Sequence, residues 1–184
     1  MGIYGVGLRT AESWYNQGHR TLKDLENIKL HSYQQIGFDH YHEFNSRIPR
    51  AEVTAHVDYV TASARKVSQH LEIVVGGSYR RGQKDSGDID FLITAKDSVI
   101  SIVHLQKLVF EQLIPGLREA GYIKADLTIP SDVKEHSKWL GAAILPFEGK
   151  EILRRVDILV VPHAEWGAAL IYFTGIVTCC HAAW

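Results

Sequence analysis

A chain of 184 residues, 46% of them hydrophobic, has room for one ordinary domain with a smaller companion and is too apolar to be disordered. Its formal net charge of −1 supplies no general attraction to a polyanion, so any nucleic-acid interface must come from local features. No apolar run spans a bilayer and the start lacks a secretory signal. Cys179 and Cys180, adjacent near the end, give neither a disulfide framework nor a zinc ligand pair, so the expectation is a soluble intracellular protein. The ten histidines are scattered among polar residues without a recognised ligand spacing.

In chain order, residues 3–27 (IYGVGLRTAESWYNQGHRTLKDLEN) predict a tight glycine turn, a short helix, a break at Gly18 and a second helix capped by Thr21. A third helix is expected from Ser32 through SYQQIGFDHYHEFNSR, closed at Ile48-Pro49. Beyond it Val53, Val57, Val60, Ala64, Val67 and Leu71 recur in alternating steps of four and three, an amphipathic helix.

The period then changes. LEIVVGG reads as a short strand, and DIDFLITA as another with Asp88, Asp90 and Leu92 on one face. From Ser98 a helix is predicted that Pro115 shortens or kinks. YIKADLTI, KWLGAAILPF and EILRRVDILVVP predict three more strands, and HAEWGAALIYFTG a helix after Pro162. The class is α+β: a small all-helical unit over residues 1–48, followed by a mixed β-sheet carrying helices.

Strand alternation puts Asp88 and Asp90 side by side, where two carboxylates repel unless a cation keeps both ionised. Solvation, or pairing with Arg80, Arg81 or Lys84, would explain them as well. Asp157 shifts the balance, because it lies in the apolar run RRVDILVVP, where an unpartnered charge is costly. If the two strands are neighbours, three carboxylates converge, as in a pair of divalent ions serving phosphoryl or nucleotidyl transfer.

Ahead of the aspartates, GGSYRRGQKDSG has the makings of an anion cradle. Gly76 and Gly77 allow close backbone approach, Ser78 and Arg81 can donate to phosphate oxygens, and Gly87 leaves space before Asp88. No Walker A motif is present, and the GVG at residues 5–7 follows no strand and lacks a third glycine, so it is not a dinucleotide fingerprint. The turn at Ile3, Gly5, Val6 and Gly7 can instead aim backbone N–H groups and a helix N-terminus at one phosphate, or serve as a plain packing corner.

GSYRRGQKDSGDIDFLIT, RRVDILVVP and YFTG, in this order and with a glycine hairpin ahead of them, resemble the family X DNA polymerases within the nucleotidyltransferase superfamily. The resemblance runs from Ile3 to Gly175, and YFTG places it on the beta/lambda side, near the lambda and fungal polymerase IV branch. It implies a helix-hairpin-helix fingers unit over residues 1–48 and a nucleotidyltransferase palm over 49–175.

The resemblance also implies roles. Asp88 and Asp90 would bridge two Mg2+ (or Mn2+) ions, and Asp157 would complete the catalytic one and assist deprotonation of the primer 3′-hydroxyl. Arg155 would orient Asp157 and the primer end. Gly77, Ser78, Arg81 and Gly87 would hold the triphosphate, and Tyr172, Phe173 and Gly175 would floor the sugar pocket. The hairpin at Ile3, Gly5, Val6 and Gly7 would grip a DNA phosphate, with a monovalent cation on its carbonyls. The implied activity is template-directed gap filling in a nuclear, monomeric repair enzyme acting on gapped or nicked DNA and dNTP, without a membrane partner.

After YFTG the resemblance stops: Ile176 stands where the family has serine, and IVTCCHAAW matches nothing. The family's thumb and lyase domains have no counterpart, so an incomplete polymerase core is the expectation. Two alternatives stay open: a fragment that binds DNA without turnover, and a nucleotidyltransferase acting on a small molecule or tRNA.

Overall fold

The computed structural model describes residues 2–96, 100–128, 138–146 and 152–175. The predicted helix start at Ser98 and the non-matching tail 176–184 lie outside the described residues. The chain divides into two compact units, Met1–Ser46 and Arg47–Trp184.

In the first unit the glycine turn leads into α1 (Leu8–Asn16), whose N-cap is the extended Gly7. Gly18 breaks the helix with φ +95°, a conformation that suits glycine. The helix expected after Thr21 is only a 3-10 turn, Lys23–Leu25. Asp24 accounts for this: its carboxylate accepts the N–H groups of Arg20 (2.7 Å) and Thr21 (2.8 Å), closing a local turn instead of propagating a helix. The third helix is likewise split at His40 into α2 (Ser32–Asp39) and α3 (Tyr41–Asn45), since His40 sits at φ −106°, ψ 25°.

The second unit opens with a two-residue strand, β1 (Ile48–Pro49), paired with β3 (Asp85–Ser86). Pro49 stands at the N-cap of α4 (Arg50–Val67), which ends four residues before Leu71; Leu71 instead opens the first strand of the main sheet. That sheet comprises β2 (Leu71–Val75), β4 (Ile89–Ala95), β5 (Ile123–Thr128), β6 (Lys138–Ala143) and β7 (Arg154–Val160), in the order β2-β4-β7-β6-β5. Only β4 and β7 run parallel among these pairs, so the sheet is mixed, as expected.

Pro115 does not end its helix. The chain runs α6 (Ile102–Lys107), a π-helical stretch Leu108–Leu113, then α7 (Ile114–Glu119) with the proline in its first turn. In the first turn of α7 the missing N–H costs little.

Strand β7 shows how the layers are assigned. Arg154, Val156, Ile158 and Val160 are buried, while Arg155, Asp157 and Leu159 on the other face are half-buried. The buried face packs with Val53 and Val60 of α4, Leu105, and Leu113 into one core. Buried Arg154 reaches Glu52 of α4 through two bonds, Nε at 2.7 Å and Nη2 at 3.0 Å, so neither charge lacks a partner. The opposite face carries the predicted carboxylates and, towards its β4 end, α8 (Trp166–Thr174).

Candidate active site

The parallel pairing of β4 with β7 sets Asp90 directly opposite Asp157. Asp88 stands just before β4, two residues from Asp90, and the charges of Asp88 and Asp157 both act on Asp90. Leu92 shares this face, as expected, but is fully buried. A Cβ on Gly76 would lie 3.0 Å from the Leu92 side chain and 3.0 Å from the Phe173 carbonyl oxygen, so the glycine turn and α8 cover this part of the sheet.

Two cationic side chains meet the three carboxylates. Arg155 Nη2 donates to Asp88 Oδ2 at 3.0 Å, and Lys138 Nζ lies 3.0 Å from Asp157 Oδ2. Burial is the largest influence on Asp90, and the charges of Asp88 and Asp157 add to it. Together they push its pKa from 3.8 up to about 6 against the opposing pull of Lys138 and Arg155. Burial also raises Asp157, with Lys138 working the other way. The cluster is short of positive charge.

The glycine turn is folded against it. Gly76 N–H donates to the Asp90 carbonyl at 2.9 Å. Gly77 has φ +56°, and a Cβ there would sit 3.1 Å from Asp90 Oδ2, so this position needs glycine for both backbone and space. One helical turn, α5 (Gly77–Arg80), follows. Ser78 Oγ donates to the buried Ser86 hydroxyl at 2.8 Å. Arg81 Nη1 donates to the carbonyls of Thr174 (3.1 Å) and Gly175 (3.3 Å), tying the turn to the end of α8. Tyr172 is exposed and stacks edge-on against Phe173. A Cβ on Gly87 would lie 3.2 Å from Arg47 Nη1.

Ser86, Arg47, Arg50 and Lys138 were not singled out by the sequence. Arg47 bonds Asp85 Oδ1 through Nε at 2.9 Å and Nη2 at 2.7 Å. Arg50 donates to the Tyr79 and Gln83 carbonyls at 2.7 and 3.2 Å and lies 4.2 Å from the centre of the Tyr79 ring, pinning the loop between α5 and β3. The RIPR run could have flagged both arginines, since they flank the Ile48-Pro49 step that leads into α4. For Lys138 the sequence held no comparable signal.

In the first unit, Gly5 has φ +76° and its carbonyl accepts from Gln34 Nε2 at 3.0 Å. A Cβ on Gly5 would strike the Tyr33 ring, and one on Gly37 of α2 would come within 2.7 Å of the Tyr4 carbonyl oxygen. Ile3 is buried, Val6 N–H donates to its carbonyl at 3.2 Å, and α1 begins without a side-chain cap. The uncapped first turn of α1 therefore offers backbone donors to an anion.

Residues 47–163 match the family described as DNA polymerase beta palm, and residues 1–45 match that described as the fingers domain of DNA polymerase lambda. The chain is 38% identical over 174 residues to DNA polymerase lambda of Rattus norvegicus and 31% identical over 179 residues to DNA polymerase lambda of Arabidopsis thaliana. Each alignment covers 94% of this chain but only 29% and 32%, respectively, of the relative.

Proposed function

We propose, for a chain that belongs to the family X DNA polymerases, that its carboxylate-bearing sheet face transfers a deoxynucleotide from dNTP to a primer 3′-hydroxyl and releases pyrophosphate. The observation that carries this reading is the register of Asp90 against Asp157 with Asp88 alongside, next to the glycine turn. The physiological substrate would be gapped or nicked DNA, acted on by a nuclear, monomeric enzyme.

The donor set suits hard divalent cations such as Mg2+ or Mn2+, which take carboxylate, water and phosphate oxygens. Among the described residues no three His, Cys, Asp or Glu side chains form a ready-made metal cage. Water and substrate phosphates would have to complete the coordination of any ion held there. Asp88 and Asp90 would hold two ions jointly, and Asp157 would join at the catalytic one. Bound there, such ions would supply Lewis acidity toward the primer hydroxyl and positive charge for the leaving pyrophosphate.

The protein's own part is positioning. Asp157 would take part in removing the primer proton, and Arg155 orients Asp88 through its hydrogen bond. The Ser78–Ser86 hydroxyl pair, the N–H groups of the Gly76–Gly77 turn and Arg81 present donors to the triphosphate. Because Arg81 also holds the end of α8, triphosphate binding is linked to Tyr172, Phe173 and Gly175, the proposed floor for the sugar. The hairpin at Ile3, Gly5, Val6 and Gly7 would hold a DNA phosphate through backbone groups, with a monovalent cation on its carbonyls, a contact that needs no excess basic charge.

Single-nucleotide incorporation on one-nucleotide-gapped DNA with Mg2+, the template base varied, tests the proposal. Templated incorporation is expected. Binding of the DNA with no incorporation under any template base or divalent ion would favour a non-catalytic DNA-binding role.

A further inference from the structure

Lys138 is the first residue of β6, and its backbone pairs with Leu159 of β7, two residues beyond Asp157 on the same strand face. A lysine there can reach diagonally across the ladder, and Nζ ends 3.0 Å from Asp157 Oδ2. Of the pair, Asp157 is the less accessible: its side chain is 23% exposed, against 45% for Lys138. The ammonium thus holds an oxygen that the proposed reaction assigns to a divalent ion, from the end of a flexible stem that can swing into water. Arg155 differs in kind, since its guanidinium grips Asp88 from a residue only 30% exposed on β7 itself.

We propose that Lys138 is an internal counter-ion for Asp157, competing with the divalent cation for the same carboxylate and leaving it when the cation binds. This rests on the carboxylate cluster being the cation site. Its consequence is that the third carboxylate stays folded and oriented in the metal-free enzyme, at the cost of a weaker cation affinity. Lys138 is a positioning residue in this account. Without it the carboxylate would be freer to take the ion, yet less fixed before the ion arrives.

Mn2+ binding followed by electron paramagnetic resonance, with no substrate present, tests this in the full chain. Lys138→Met keeps the stem and removes the charge, and is expected to tighten Mn2+ binding by about fivefold, the factor a half-exposed ion pair of this kind commands. Lys138→Arg, which keeps the charge, should bind no more tightly than the parent. Unchanged or weaker binding by Lys138→Met overturns the role of Lys138 alone. Absence of Mn2+ binding in both the parent and Lys138→Met overturns the cation-site reading together with it.

A second measurement needs no neutral variant to fold. Lysine amines carrying 13C-methyl groups are followed by NMR in the otherwise unaltered chain, with Lys138→Arg identifying the Lys138 signal. During a Mg2+ titration that signal should move in step with cation binding. A Lys138 signal that stays fixed while the cation binds contradicts displacement.

Discussion

The two units hold their proposed DNA- and nucleotide-binding groups by opposite means. In the palm, charged side chains are concentrated on one face of a sheet whose other face is a dense core of α4, α7 and the π-helical stretch. In the hairpin unit there is little core: α1 has no buried residue, and the turn is held by close backbone approach at Gly5 and Gly37. A site that concentrates like charge needs a rigid scaffold to resist its own repulsion. A site made of backbone N–H groups needs only the right turn, so it can stand on a small unit with modest burial.

The largest test of this contrast is at the palm. Asp157→Asn keeps the shape and removes the charge, and is expected to lower nucleotide incorporation by roughly three orders of magnitude or more, measured in single-turnover kinetics. The hairpin should show no such effect: Gly5→Ala is expected to weaken DNA binding while leaving the single-turnover rate at saturating DNA near that of the parent.

The pH dependence sharpens the palm side. Asp90 has a folded pKa of about 6, above its ordinary 3.8, so the folded state binds the proton more tightly than the unfolded chain. Its contribution is fully favourable below pH 3.8 and is lost as pH rises through 6, a difference on the order of 3 kcal/mol. In metal-free buffer this group lowers stability between pH 4 and pH 7, visible in urea unfolding. Saturating Mg2+ should flatten that slope, and a slope unaffected by Mg2+ would argue against the cation site.

On the hairpin side, Gly37→Ala forces a Cβ against the Tyr4 backbone and should destabilise the first unit by roughly 2 kcal/mol, even though alanine is the better helix former. The same substitution at Gly116 in α7 meets nothing within 4 Å and should stabilise the palm by about 0.5–1 kcal/mol. Thermal unfolding of the two variants side by side checks both signs.

Much of the palm was legible because strand periodicity and charge coincide: DIDFLITA and RRVDILVVP each mark a face, and an aspartate in an apolar run asks for a partner. What escaped was settled by contacts distant in sequence or by local competition. Lys138 meets Asp157 only through the β6–β7 register, which no periodicity reveals. Asp24 closes a turn with N–H groups that a helix would have used differently, and His40 divides a stretch whose pattern reads as continuous. Pro115 does not shorten its helix as expected, and the π-helical stretch ahead of it has no sequence mark. Leu92 lies on the face the alternation predicts, but α8 and the glycine turn return to bury it.

The most direct measurement is Asp90→Asn, read twice, by thermal unfolding of the metal-free protein at pH 7.5 and by Mg2+-dependent incorporation on gapped DNA. If the cluster keeps a costly charge for the sake of a cation, the variant melts at a higher temperature than the parent and no longer incorporates nucleotide. An unchanged or lower melting temperature, or incorporation that survives, would contradict that account.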